Sequence, residues 1–202
     1  MKKIIIAGIG TEIGKTVCSA IICEAMNADY WKPVQAGELD NTDSHKVSSL
    51  ISNNKTVVHP ERYKLTNPMS PHAAAFLDDE EIIIEDISVP ESKNNLVIEL
   101  AGGLFVPLNN RFLNIDWIQQ SKLPVVLVSQ YYLGSINHSL LSWEALKKRN
   151  IPFLGFIFNG KKVQTTFDII MEYTGEKCLL EVDDEKEINK ETIVRYANKF
   201  QI

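Results

Sequence analysis

The chain has 202 residues, of which 45% are hydrophobic and 23% charged, the composition of one α/β domain long enough to bury a core without staples. Its net charge of −5 argues against a nucleic-acid partner, because a phosphate backbone is repelled by such a surface, and leaves open small anions held by local lysines. No run approaches the apolar length of a membrane helix, the opening residues do not resemble a signal peptide, and Cys18, Cys23 and Cys178 form no metal or CxxC pattern, so the expected setting is a reducing cytoplasm.

Ile4, Ile5 and Ile6 form a β-branched run suited to one buried strand. Gly8 and Gly10 interrupt it, and from Gly14-Lys15-Thr16 onward Val17, Ile21, Ile22 and Ala25 recur at helical spacing. Strand, glycine loop and helix in that order make a phosphate cradle, with free backbone N–H groups and the positive end of a helix facing the anion. In that cradle Lys15 reaches the outer phosphates and the Thr16 hydroxyl binds the accompanying Mg²⁺. Five residues separate Gly8 from Gly14 where the usual template has four, and Ile9 stands at the template's glycine, so the loop is a lengthened variant.

Residues 30–34 read as a second strand ended by Pro33 and Gly37, and 43–51 as a short helix with Val47, Leu50 and Ile51 on one face. Pro60, Pro68 and Pro71 make 58–71 irregular, an excursion over a site. Further strands are expected at 96–99, 124–128 and 153–158, and further helices at 112–120, 135–149, 167–173 and 187–200. This alternation predicts a single domain over 1–202, a doubly wound and mostly parallel sheet with helices on both faces. Ligands of such sheets gather beyond the carboxyl ends of the strands.

The strand ends are residues 8–16, Lys32, 99–103, 130–137 and Asn159. Singly they are ordinary: Glu99 reads equally as an acceptor for a helix N–H, and Lys32 as a solvated charge. Together they fit phosphoryl transfer, in which the protein holds geometry and neutralises oxygen charge. Mg²⁺ prefers oxygen ligands and keeps several waters, so Thr16, Glu99 and one acid among Glu38, Asp40 and Asp43 suffice, Asp43 being preferred. Lys32 supplies a second cation for the transferring group.

The segments GIGTEIGKTV, WKPVQAG, NTDSHKV, NPMSPHAAA, ELAGGLFVPL and LGSINHSLL, in this order, resemble the dethiobiotin synthetase family over residues 1–160. The resemblance implies a P-loop NTPase-like fold and the joining of 7,8-diaminononanoate, bicarbonate-derived CO₂ and ATP through a carbamate. It implies that Glu12, Ile13, Gly14, Lys15, Thr16 and Val17 hold ATP and that Thr16, Asp43 and Glu99 bind Mg²⁺. By the same resemblance Lys32 is catalytic alongside Lys15 and Thr11, the last lining the diamine site. Glu99, Leu100, Ala101 and Gly102 then lie against the phosphates, and Asn159 with Gly160 meets the adenine. The resemblance also implies a homodimer, in which Gly134, Ser135, Ile136 and Asn137 of the partner chain receive the substrate carboxylate at a helix start. Asn137 reads there as a simple cap too.

Three departures from the family pattern stand out. Ala36 replaces a usual Ser or Thr contact to the diamine. Leu100 replaces a common glycine and is expected to crowd the phosphates. After Cys178, LLEVDDEKEINKE stands where a proline-containing adenine loop is usual, with 180–183 as the candidate replacement. His45, His59, His72 and His138 lack ligand spacing and read as surface or capping residues, except that His72 is expected to overhang the diamine. The competing classes are an amidating ligase, which needs a glutamine-hydrolysing domain, and a partition-type ATPase switch, which commonly carries an extra lysine that 7–13 lack.

Overall fold

The computed structural model describes residues 1–202. The chain begins β1 (Lys3–Gly8), α1 (Lys15–Met26), β2 (Asp29–Trp31), β3 (Val34–Ala36) and α2 (Asp43–Leu50). It continues through β4 (Val58–His59), β5 (Tyr63–Leu65), α3 (Pro71–Leu77), β6 (Leu96–Gly103), α4 (Asn114–Ser121) and β7 (Val125–Gln130). It ends with α5 (Ser135–Lys148), β8 (Phe153–Asn159), α6 (Gln164–Thr174), β9 (Cys178–Val182) and α7 (Lys190–Ala197).

Seven strands form one sheet in the order β4-β2-β6-β1-β7-β8-β9, and every pair is parallel. Successive side chains of a strand point to opposite faces, so β1 feeds two cores at once. Ile4 and Ile6 pack with Cys18, Ile21, Ile22, Val47 and Ile193 beneath α1, α2 and α7. Ile5 and Ala7 join Ile115, Trp117, Leu146 and Ile170 beneath α4, α5 and α6. Because every strand runs the same way, all seven carboxyl ends share one edge. The chain winds to one side of β1 first and to the other side after β6, and the loops at that reversal open a crevice. No helix is long and apolar enough to cross a membrane.

The structure departs from the sequence pattern where prolines and short elements intervene. The strand expected over 30–34 is two, because Pro33 has no N–H to donate to a ladder; the chain leaves the main sheet there and forms β3, which pairs with β5 in a separate two-stranded sheet. The stretch expected to be irregular holds β4 and β5, and Pro71 starts α3 as its first-turn residue. β9 is a strand not expected from the sequence, a short apolar run ahead of an acidic one. The last helix is shorter than 187–200, because the Asn189 side chain accepts from Thr192 N (3.0 Å) and caps it there.

At the amino-terminal edge of the sheet, opposite the crevice, Asp29 ties three segments together. Its carboxylate accepts from Val57 N (2.9 Å), Ser92 Oγ (2.5 Å) and Asn94 Nδ2 (2.9 Å), and faces His59 Nε2 at 3.1 Å. Burial pushes this carboxyl upward, but those hydrogen bonds outweigh it and hold it below the ordinary aspartate value of 3.8. A carboxyl depressed by folding stabilises above its unfolded value and loses that contribution as pH falls through its lower folded value. Asp29→Asn therefore costs roughly 1–3 kcal/mol at neutral pH. In urea titrations at a series of pH values, the gap between variant and parent narrows once the pH drops below about 4.

Candidate active site

The loop between β1 and α1 closes on Gly14, which caps α1 at φ 89 in the left-handed region. A Cβ there would overlap the Asn159 amide, whose Nδ2 donates to Ile13 O (3.0 Å), so the end of β8 pins the loop against the sheet. No side chain caps α1, and its first N–H groups remain for an anion. Lys15 Nζ donates back to Gly10 O (2.8 Å), which folds the lysine over the cradle. Burial pushes its ammonium down to about 8, with Lys32 acting in the same sense and Glu99 and Asp43 against it.

Three further elements deliver charge to the same point. Lys32, just past β2, hydrogen-bonds Asp43 Oδ2 at the start of α2 and lies 3.6 Å from Glu99 Oε1 on β6. Thr16 Oγ1 on α1 donates to that Glu99 oxygen (2.9 Å). Burial alone would lower the Lys32 ammonium, yet Glu99 and Asp43 outweigh it and raise it above the usual lysine value. Burial likewise acts upward on Asp43, but Lys32, Lys46 and Thr16 hold it below the usual carboxylate range. Lys46, one turn further along α2, reaches Asp43 Oδ1 (3.5 Å) and Glu38 Oε2 (2.6 Å).

Thr16, Asp43 and Glu99 thus surround one point with two carboxylates and a hydroxyl, with the Lys32 ammonium between the acids. No set of three or more His, Cys, Asp or Glu residues is grouped for a metal anywhere in the chain. Oxygen donors in this small number suit Mg²⁺, which retains waters and phosphate oxygens, better than a soft metal wanting a full protein cage. The donor set fits the ion.

A cleft of about 650 Å³ lies over this point. Thr11 through Val17, Lys32, Ala36, Asp43, Glu99, Ala101 and Gly102 all line it. Leu100 is a correction. Alternation along β6 turns its side chain into the core with Pro33 and Trp117, away from the phosphates it was expected to crowd. Asn159 and Gly160 stand beside the loop, Gly160 N donating to Val182 O (2.9 Å) at the end of β9. That pairing brings Val182 and Asp183 next to Asn159, while Leu180 is buried in the core. Gly134, Ser135, Ile136 and Asn137 begin α5 outside the cleft; Gly134 is the cap at φ 101, and exposed Asn137 makes no capping bond. His72 does not line the cleft, whose wall is Pro68 to Pro71; it lines a neighbouring cavity of about 620 Å³.

Gln35 and Lys46 escape the sequence pattern. Gln35 is buried beside Ala36, donates to Gly37 O (2.9 Å) and accepts from Asp43 N (3.3 Å), so it holds the loop that carries Asp43. A polar amide just before a turn glycine is the available signal. For Lys46 the signal is its position three residues after Asp43 on a helix.

A parallel sheet with a glycine loop, a buried lysine where that loop meets its helix and a hydroxyl–carboxylate set beside it defines a P-loop nucleotide-binding protein. Solved structures agree on the fold: a ParA family ATPase from Chlorobium tepidum (TM-score 0.61, 13% identity, 98% of each chain) and MinD from Pyrococcus horikoshii (TM-score 0.58, 12% identity, 98% of this chain and 96% of that one). A family model described as an AAA domain matches residues 2–192. The protein named ATP-dependent dethiobiotin synthetase BioD in Christiangramia forsetii is 49% identical, over 99% of this chain and 96% of the relative. The Cytophaga hutchinsonii protein of that name is 47% identical over 99% and 97%. The chain belongs to the dethiobiotin synthetase family.

Only the protonated form of Lys15 attracts an anion into the cradle, so the affinity of ATP is expected to fall as pH rises through about 8, with proton uptake on binding there. Calorimetry in buffers of different ionisation enthalpy measures both effects. Lys15→Met weakens binding at every pH and removes the proton uptake.

Proposed function

We propose that the chain is an ATP-dependent dethiobiotin synthetase that closes a cyclic urea on 7,8-diaminononanoate with CO₂, Mg²⁺ and ATP. The observation that carries this reading is the Lys32 ammonium held between Asp43 and Glu99 beside the phosphate loop. Two anions must meet here, a carbamate made from one amine and CO₂ and the terminal phosphate of ATP. Bringing them together without cations costs several kcal/mol even at an effective dielectric near 20.

The loop N–H groups and Lys15 hold the triphosphate. Thr16, Asp43 and Glu99 would hold Mg²⁺, which supplies Lewis-acid neutralisation of the phosphate oxygens when bound. Lys32 orients the carbamate for in-line attack on the terminal phosphorus and balances charge on the transferring group. The carbamate oxygen bonds to the terminal phosphorus as the bond to the bridging oxygen breaks and ADP leaves, and the carbamic–phosphoric anhydride so formed is attacked at carbon by the second amine, which gives up its proton. Phosphate leaves and the ring closes. Thr11 and Ala36 border the space for the diamine; Ala36 offers no hydroxyl, so a backbone group or water meets the amine there. Asn159, with the end of β9 beside it, is assigned to the base.

In this reading two copies associate, and the start of α5 from the partner receives the substrate carboxylate on free N–H groups. The exposed apolar side chains there, Leu133 and Ile136, favour a covered surface. Free Cys18, Cys23 and Cys178 suit a reducing cytoplasm.

Phosphate release from ATP should require both diamine and bicarbonate; release that continues with the diamine omitted would favour a nucleotide switch. Lys32→Ala lowers turnover by about 10²-fold or more in protein whose circular dichroism at low temperature shows it folded, and it also lowers the melting temperature because Asp43 and Glu99 lose their cation. Asp43→Asn shifts the Mg²⁺ titration of turnover to higher concentration, whereas an unshifted titration would move that ligand to another acid.

A further inference from the structure

Glu99 has one partner to which the reaction above gives no task. Tyr30 is fully buried on β2, and its hydroxyl donates to Glu99 Oε2 (2.9 Å). The other oxygen, Oε1, takes the Thr16 hydroxyl (2.9 Å) and faces the Lys32 ammonium (3.6 Å). The two oxygens of one carboxylate are therefore divided, one facing the core and one the cleft.

The register explains why a tyrosine is needed. Tyr30 pairs with Val97, so Glu99 is its diagonal neighbour, two residues further along β6. With strands about 4.8 Å apart and a rise of about 3.3 Å per residue, that neighbour is roughly 8 Å away, within reach of a long rigid ring and out of reach of serine or threonine. The torsion that turns a carboxylate is soft and two-fold, so without a donor on Oε2 Glu99 is held only through Oε1 and is free to turn its second oxygen toward the cleft cations. A phenol also orients the group without adding charge, where a cation in its place would compete with the metal.

We propose that Tyr30 is a positioning residue for the metal-binding carboxylate, fixing Glu99 so that Oε1 is presented to the divalent ion. This rests on the placement of Mg²⁺ at Thr16, Asp43 and Glu99 given above. The test uses the full chain with ADP and Mn²⁺, measured by electron paramagnetic resonance, in the parent, Tyr30→Phe and Glu99→Gln. Tyr30→Phe should weaken Mn²⁺ binding about 10–100-fold, as loss of a group that orients a ligand commonly does. In turnover, the Mg²⁺ concentration for half-saturation should rise by more than the maximal rate falls.

Unchanged Mn²⁺ affinity in Tyr30→Phe beside a weakened Glu99→Gln overturns the role of Tyr30 and leaves the metal placement standing. Unchanged affinity in both variants overturns the placement and the inference with it. If Tyr30→Phe does not fold, 3-fluorotyrosine at position 30 of the otherwise parent chain replaces it. Its fluorine resonance should move when Mg²⁺ is added to the ADP-bound protein, and a static resonance overturns the proposal.

Discussion

The structure depends on one buried ammonium between two carboxylates. Lys32 and Glu99 are almost wholly removed from water, and Asp43 largely so. An ion in that position costs several kcal/mol unless it is paired, and removing one partner leaves the others buried and uncompensated. The pairing therefore requires that three separate elements, one of them distant in sequence, arrive at one edge. A parallel sheet meets the requirement, since it sets the ends of β2 and β6 side by side, and Gln35 holds the backbone that presents Asp43. The Thr16 hydroxyl on the same Glu99 oxygen links this cluster to the phosphate loop. The cation site and the anion site are consequently one network.

The two lysines of that network are tuned in opposite senses under the same burial. Lys15 donates to a neutral carbonyl, so desolvation dominates and brings it near the physiological range. Lys32 meets two carboxylates, and their attraction exceeds the same penalty. The difference suits the tasks proposed. A loop lysine with a lowered value gains most from an incoming phosphate, while a lysine locked in an ion cluster stays charged whatever the phosphate does.

Much of this is legible in residue order, and the reasons are physical. The Ile4–Ile6 run, the glycines and Gly14-Lys15-Thr16 announce strand, loop and helix because each step needs those residue types locally. Lys32 and Glu99 stand out because a parallel sheet gathers its strand ends. What stays hidden depends on packing across the sheet. Leu100 follows Glu99 in sequence but faces the opposite core, which alternation along β6 decides only once that strand's two faces are known. Pro71 looks like a breaker because a proline stops a helix anywhere except in its first turn. Tyr30 reads as an ordinary strand residue, since its hydroxyl partner lies across a register that residue spacing does not give. The end of β9 is hidden for the same reason: its pairing with β8, not its own pattern, sets Val182 beside Asn159.

The solved structures of ParA and MinD type share the sheet at 12–13% identity, so the frame itself says little about chemistry. The side of the cleft away from the loop differs in character from the phosphate side. Pro33 follows Lys32 directly, and the two-stranded β3–β5 unit beyond it continues into the wall at Pro68 to Pro71. Gly37, at φ 73, packs against Pro68 so closely that a Cβ would meet its backbone within 2.6–2.8 Å. That contact holds the loop after β3 against the wall, and with it the approach to Asp43. A substrate in this cleft therefore meets phosphate-binding groups on one side and an uncharged, proline-flanked wall on the other. Such an arrangement draws an anionic group beside the loop, such as a carbamate, toward the lysines, because only that side of the cleft offers cations to an anion leaving water.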